Sequence, residues 1–105
     1  MGEGEKTKRQ TEVLEKPRSA VKTPSLYKVI LHNDDYTTME FVVQILETVF
    51  QKTPAEAHRL MMQVHTEGYG VCGAYTYEVA ETKVTQTHEL ARASGYPLLA
   101  SIEEE

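Results

Sequence analysis

The stretch from Thr37 to Phe50 constrains this chain more than any other. Thr37 and Glu40 have the spacing of a capping box, which predicts a helix with Thr37 as its N-cap. At 100° per residue, Met39, Phe41, Val42, Val43, Ile45, Leu46, Val49 and Phe50 cover an arc of roughly 200°. Glu40, Gln44, Glu47 and Thr48 fill the remainder. A surface helix covers a core with about half that apolar arc. One edge of this helix is therefore either deeply buried or left open as a binding surface. Met39, Val42 and Val43 lie on the edge nearest the preceding loop.

That loop is Asn33-Asp34-Asp35, and before it runs Tyr27-Lys28-Val29-Ile30-Leu31. Residues 26–31 read as a strand, so the loop is a strand–helix joint, where polar groups are displayed on a rigid support. An amide and two carboxylates there can accept hydrogen bonds from a cation. Beside an apolar edge, they suit a ligand with one positive and one greasy end.

A second helix follows at once. Thr53 is its predicted cap, Pro54 suits its first position, and Glu56 completes another capping box. Ala57, Leu60, Met61 and Val64 form its stripe, with His65 at the rim, and Gly68 and Gly70 end it. Val71 to Tyr75 reads as a strand. Thr76 caps a third helix to about Ala93, with Val79, Ala80, Val84 and Ala91 inward. Ser94-Gly95 stops it, and Leu98 to Ile102 is a last strand. The order β-α-α-β-α-β predicts an α+β fold. It is a two-layer sandwich of three helices on a small three-stranded antiparallel sheet.

The whole chain has 105 residues, enough for one small domain. Residues 1–25 carry six Lys/Arg and four Asp/Glu, lack aromatics and hold only four residues from Val, Leu and Ala. They are read as a disordered extension, and 26–105 as the folded body. That body carries five basic and twelve acidic residues, a net of −7, which argues against nucleic acid as partner. No apolar run approaches membrane-spanning length, and the N-terminus does not read as a secretory signal. A single cysteine, Cys72, excludes an internal disulfide and fits a reducing, cytoplasmic setting.

Catalytic motifs are missing: no nucleophile elbow, P-loop or dinucleotide fingerprint occurs. Cys72 reads as a buried structural thiol. Asp34, Asp35 and His65 could form a small hydrolase site, though without an evident nucleophile. His58 and His65 stand seven residues apart on one helical face, roughly 10 Å, too far for one metal ion unaided. The expectation is a protein that is no enzyme and holds no cofactor or metal. A binding pocket is the remaining reading. Asn33, Asp34 and His65 would accept from an ammonium, and Met39, Val42, Met61 and Val64 would line an adjacent cavity, methionine being suited to varied apolar groups.

The run from Tyr27 to Val42, with Leu60-Met61-Met62-Gln63-Val64-His65, Val71-Cys72-Gly73, Tyr77 to Val84 and Tyr96-Pro97-Leu98, resembles the ClpS family of adaptors of the ClpAP protease. The resemblance covers nearly all of 25–105. It implies the ClpS fold, related to the C-terminal domain of the ribosomal stalk protein. It also implies an adaptor that binds N-degron substrates beginning with Leu, Phe, Tyr or Trp. The adaptor delivers them to the unfoldase ClpA, as a monomer in the cytoplasm. By the same resemblance, Asn33, Asp34 and His65 hold the substrate's α-amino group. Asp35, Thr37 and Thr38 border its first peptide unit or the pocket wall. Leu31, Met39, Val42, Met61, Val64 and Leu98 form the side-chain pocket, Met39 as gatekeeper against β-branched residues. Glu78 and Lys83 dock on the ClpA N-terminal domain. Thr38 departs from the proline many relatives carry. An alternative is a ribosome-associated module that shares only the fold.

Overall fold

The computed structural model describes residues 24–105, so the expected extension lies almost wholly outside the described residues. The elements are β1 (Tyr27–His32), α1 (Met39–Thr48), α2 (Pro54–Glu67), β2 (Tyr69–Tyr75), α3 (Tyr77–Ala93) and β3 (Leu99–Glu104). The order is the expected one. The sheet runs β2-β1-β3 with both pairings antiparallel, which puts β1 at its centre. No helix among the described residues is long and apolar enough to cross a membrane.

The pleat of β1 sends alternate residues to opposite faces. Val29 and Leu31 are fully buried in the core with α1, α2 and α3, while Ile30 lies cross-strand from Val71 and Ser101 and outside that core. Between Val29 and Ile30 the register to β2 shifts by one. Val29 faces Gly73 and Ile30 faces Val71, so Cys72 is the extra residue of a β-bulge. The bulge turns Cys72 into the core at 1% exposure.

Burial pushes the Cys72 thiol up to about 12, against weaker opposing effects of Lys52 and the Leu31 backbone. A raised thiol favours its neutral form on folding. That contribution is complete below the ordinary value of 9.0 and is lost as pH climbs from there toward about 12. Iodoacetamide at pH 8 is therefore expected to leave native Cys72 unmodified for hours and to alkylate it in minutes in denaturant. Equal rates in the two states, read by mass spectrometry, would contradict this burial.

The broad apolar arc of α1 is mostly core. Phe41, Val42, Ile45, Leu46, Val49 and Phe50 are all buried, and Val43 packs against them half-buried. Only Met39, at 42% exposure, is left open. Phe41 packs against Tyr96 in a tilted arrangement, with ring centroids 4.8 Å apart and planes inclined by 50°.

Several local expectations are corrected. The N-cap of α1 is Thr38, not Thr37: its backbone is extended (φ −74°, ψ 155°) and its hydroxyl accepts from Phe41 N–H at 3.1 Å. Thr37 belongs to the preceding turn instead, where its N–H and its hydroxyl both donate to Asp34. Glu40 thus falls one position early for a capping box. Val79 is 44% exposed rather than inward, because α3 buries Ala80, Thr87 and Ala91 and Val79 sits about 100° round from Ala80. Thr76 occupies its N-cap without a side-chain hydrogen bond. The helix α2 starts as expected, with Thr53 accepting from Glu56 N–H, and stops at the left-handed Gly68 (φ 96°); Gly70, expected to share that role, lies in β2 opposite Leu31.

Candidate functional site

The loop between β1 and α1 is drawn against the end of α2 by one backbone hydrogen bond, Asn33 N–H to Gly68 carbonyl at 2.9 Å. This bond sets Asn33 beside the turn of α2 that carries His65. Between loop and helix lies a cavity of about 430 Å³. Its polar side is Asn33, Asp34, Asp35, Thr37, Thr38 and His65; its apolar side is Met39, Val42 and Met61. Tyr36 completes the lining.

Asp34 organises the loop. One carboxylate oxygen, Oδ1, accepts from the N–H groups of Tyr36 (2.8 Å) and Thr37 (2.7 Å); the other, Oδ2, accepts from the Thr37 hydroxyl at 2.8 Å. Partial burial pushes this carboxyl up, but the two backbone donors and the hydroxyl outweigh burial and hold it below the ordinary 3.8. A carboxylate has about four acceptor positions. Three are taken here, so one remains, on Oδ2. Such a group is ionised at neutral pH and is a poor general base, which removes the main support for a hydrolase.

The lining carries two carboxylates and no lysine or arginine. Val42 and Met61 are 7% and 5% exposed and stand deep, while Met39 is far more open. The cavity thus has a negative, hydrogen-bond-accepting rim and an apolar interior. It can accept a cation and an apolar side chain carried on one short ligand.

Other sequence-chosen residues lie elsewhere. Leu31, Val64 and Leu98 are buried in the core and are not among the residues lining this cavity. Leu98 instead borders a separate depression of about 260 Å³ with Tyr96, Arg92 and Leu99. Glu78 and Lys83 share a different cavity with Val79, Thr82 and Gln86. Glu78 is exposed, but the Lys83 ammonium is engaged within the chain. It donates to the Val49 carbonyl at 2.7 Å and to Gln51 Oε1 at 3.2 Å, and lies 5.9 and 5.4 Å from the centroids of Phe50 and Tyr75. Lys83 thereby braces α3 against the carbonyl end of α1, where a cation is favoured.

Among the described residues no three His, Cys, Asp or Glu groups converge, and the His32 ring pairs with Ser101 Oγ at 2.7 Å. Sequence reasoning gave Tyr36 no role. It stands at the cavity mouth with 75% of its surface exposed. The only signal was its place inside the polar run that supplies the rim.

Comparison with known proteins gives a consistent result. The family model described as ATP-dependent Clp protease adaptor protein ClpS matches residues 22–101. The chain is similar to the ATP-dependent Clp protease adapter protein ClpS of Maricaulis maris, 56% identical over 90 residues, covering 86% of this chain and 83% of that protein. The protein of the same name from Nitratidesulfovibrio vulgaris (strain DSM 19637 / Miyazaki F) is 56% identical over 96 residues, covering 91% of this chain and 94% of its own length. Among solved structures, Agrobacterium tumefaciens ClpS2 bound to L-phenylalaninamide superimposes with a TM-score of 0.76 at 40% identity. The match spans 79% of this chain and 100% of that one.

Proposed function

The chain belongs to the ClpS family of ATP-dependent Clp protease adaptors, and from that premise we propose that it binds the N-terminal residue of N-degron substrates and hands them to the unfoldase ClpA. The observation that carries this reading is a cavity that joins an anionic rim to an apolar interior. A peptide N-terminus beginning with Leu, Phe, Tyr or Trp brings the matching pair, an ammonium and a large apolar side chain. The solved relative's ligand, L-phenylalaninamide, has the same two parts.

In this reading Asn33, Asp34 and His65 accept the three N–H bonds of the α-ammonium. Asp34 supplies the charge through its remaining Oδ2 position, and His65 accepts through an unprotonated ring nitrogen. Asp35, Thr37 and Thr38 border the first peptide unit. The side chain enters between Met39, Val42 and Met61, with Leu31, Val64 and Leu98 packed behind them. Glu78 is the docking contact to ClpA, and Lys83 keeps the end of α1 in place beside it. The protein acts as a cytoplasmic monomer and catalyses nothing itself. A module sharing only the fold would have no use for convergent acceptors beside an apolar cavity.

Fluorescence anisotropy tests the reading with three peptides: one beginning with Phe, one with Val, and an N-acetylated Phe version. Acetylation removes the charge and leaves acceptors poorly matched, so it is expected to cost at least about 10-fold, as the loss of one charged hydrogen bond of about 1.5–3 kcal/mol implies. The Val peptide is expected to bind more weakly than the Phe peptide. Equal binding of all three rejects the adaptor reading.

A further inference from the structure

The cavities beside α1 and α3 carry acid: Asp34 and Asp35 in the one described above, Glu89, Glu78 and Glu81 in the others. The depression at the start of β3 is the opposite. His88, Arg92, Tyr96, Pro97 and Leu99 line it, and no carboxylate does. Ala100 N–H donates to His88 Nε2 at 3.0 Å, so the ring proton sits on Nδ1 as a donor. Arg92 is exposed in the last turn of α3. Among the described residues no hydrogen bond reaches that Nδ1 or the guanidinium. Beside them Leu99 is 53% exposed and Tyr96 half-buried, an apolar flank. The chemistry that fits is a carboxylate next to an aliphatic side chain.

The chain carries such a segment ahead of the described residues. Within 1–25, acids flank large apolar residues at one place, Glu12-Val13-Leu14-Glu15. Between it and the fold stand Lys16, Arg18 and Lys22, with no acid. The point of attachment matches this order of charge. The Leu26 carbonyl accepts from Glu105 N–H at 3.0 Å, so the chain joins the fold at the Glu103-Glu104-Glu105 end of β3. The depression lies at the other end of that strand, about 20 Å away at ~3.4 Å per residue. From Glu15 to Leu26 the chain reaches at most about 40 Å, which covers the distance. Basic residues then pass the acidic end of β3, and acidic ones arrive at its basic end.

We propose that Glu12–Glu15 docks in this depression, its carboxylates on Arg92 and His88 and its Val13-Leu14 pair against Tyr96 and Leu99. His88 keeps the Ala100 N–H, so the segment binds through side chains and adds no strand there. The contact uses none of the residues of the amine cavity and holds whatever that cavity binds. A tether this short gives an effective concentration on the order of mM, so a contact with a dissociation constant of ~1 mM is about half occupied.

The test is paramagnetic broadening in the full chain, with a nitroxide on Thr11→Cys; Cys72 is buried and stays unlabelled. The amides of Gly95, Tyr96 and Leu99 are expected to lose at least about half their intensity, following that occupancy. Arg92→Glu is expected to restore them. Reversing the segment's charges in the same chain, Glu12→Lys with Glu15→Lys, is expected to broaden them again. Glu12→Gln with Glu15→Gln leaves the folded body untouched and is expected to restore them too. A mixture of isotope-labelled chain without nitroxide and nitroxide-bearing chain without isotope is expected to show no broadening, because the contact is within one chain. Full intensity at these amides, broadening spread evenly over the surface, broadening that survives the glutamine pair, failure of the charge reversal, or broadening in the mixture overturns the inference.

Discussion

Replacing Asp34 by alanine is expected to weaken binding of a Phe-initiated peptide by at least about 100-fold. Two losses combine. The ammonium loses its charged acceptor, about 1.5–3 kcal/mol, and the loop loses the acceptor of Tyr36 N–H, Thr37 N–H and the Thr37 hydroxyl, about 0.5–1.5 kcal/mol each. The lower limits alone add to about 3 kcal/mol, a little over 100-fold. Asp34→Asn separates the two contributions. Its carbonyl oxygen still accepts the two backbone N–H groups, while the charge is gone, so a loss near 10-fold is expected. Binding within threefold of wild type in Asp34→Ala, measured by calorimetry or anisotropy, would remove Asp34 from the site. The sign of the pH effect comes from the same bonds. The folded-state carboxyl is held below 3.8, so its stabilising contribution is present above that value and is lost as pH falls through the lower folded one. Peptide titrations between pH 5 and 8 therefore meet Asp34 in one charge state.

Leu31→Ala is expected to lower folding stability by about 2–5 kcal/mol, the range for removing a large aliphatic side chain from a core that cannot collapse. Leu31 is fully buried on the central strand, with Gly70 and Ala100 as its cross-strand partners. Neither neighbour is large enough to fill the void. A fall in melting temperature of more than about 10 °C is expected for a domain of this size. An unchanged midpoint would refute the packing described. Peptide affinity, measured well below the new midpoint, separates core from pocket. A shift above threefold for the Phe peptide supports Leu31 as the pocket base, and an unchanged value assigns it to the core alone.

The order and type of every element were legible from local signals: a short apolar run at Val29-Ile30-Leu31, 3.6-residue stripes in the helices, glycine at Gly68. The site was half legible for a similar reason. A polar run between strand and helix marks a displayed loop, and the rim position of His65 on α2 puts it within reach. The features that escaped depend on competition or on distant partners. Thr37 has the spacing of a cap, but it is folded into the turn that Asp34 organises, and the helix starts one residue later with Thr38 as its cap. Lys83 enters the sequence reading only as a docking position implied by the resemblance, and its partner within the fold is a carbonyl 34 positions away. Cys72 is the extra residue of the β2 bulge, and the one sign of it in Val71-Cys72-Gly73 is a glycine inside the strand. Leu31, Val64 and Leu98 are apolar, but whether an apolar residue faces a core or a cavity is decided by the packing of three other elements.

The Asn33–Gly68 hydrogen bond has a thermodynamic meaning for recognition. It closes α1 and α2 into a ring whose two ends are the two halves of the rim. The entropy of bringing those halves together is spent when the protein folds, before any ligand arrives. A single amino-terminal residue offers few atoms, and ligands that small cannot order their own receptor and still bind well. Preorganisation by this contact, by the β1–β2 pairing that it extends and by the core that α1 and α2 share lets a site address the end of a chain while remaining indifferent to most of the residues behind it.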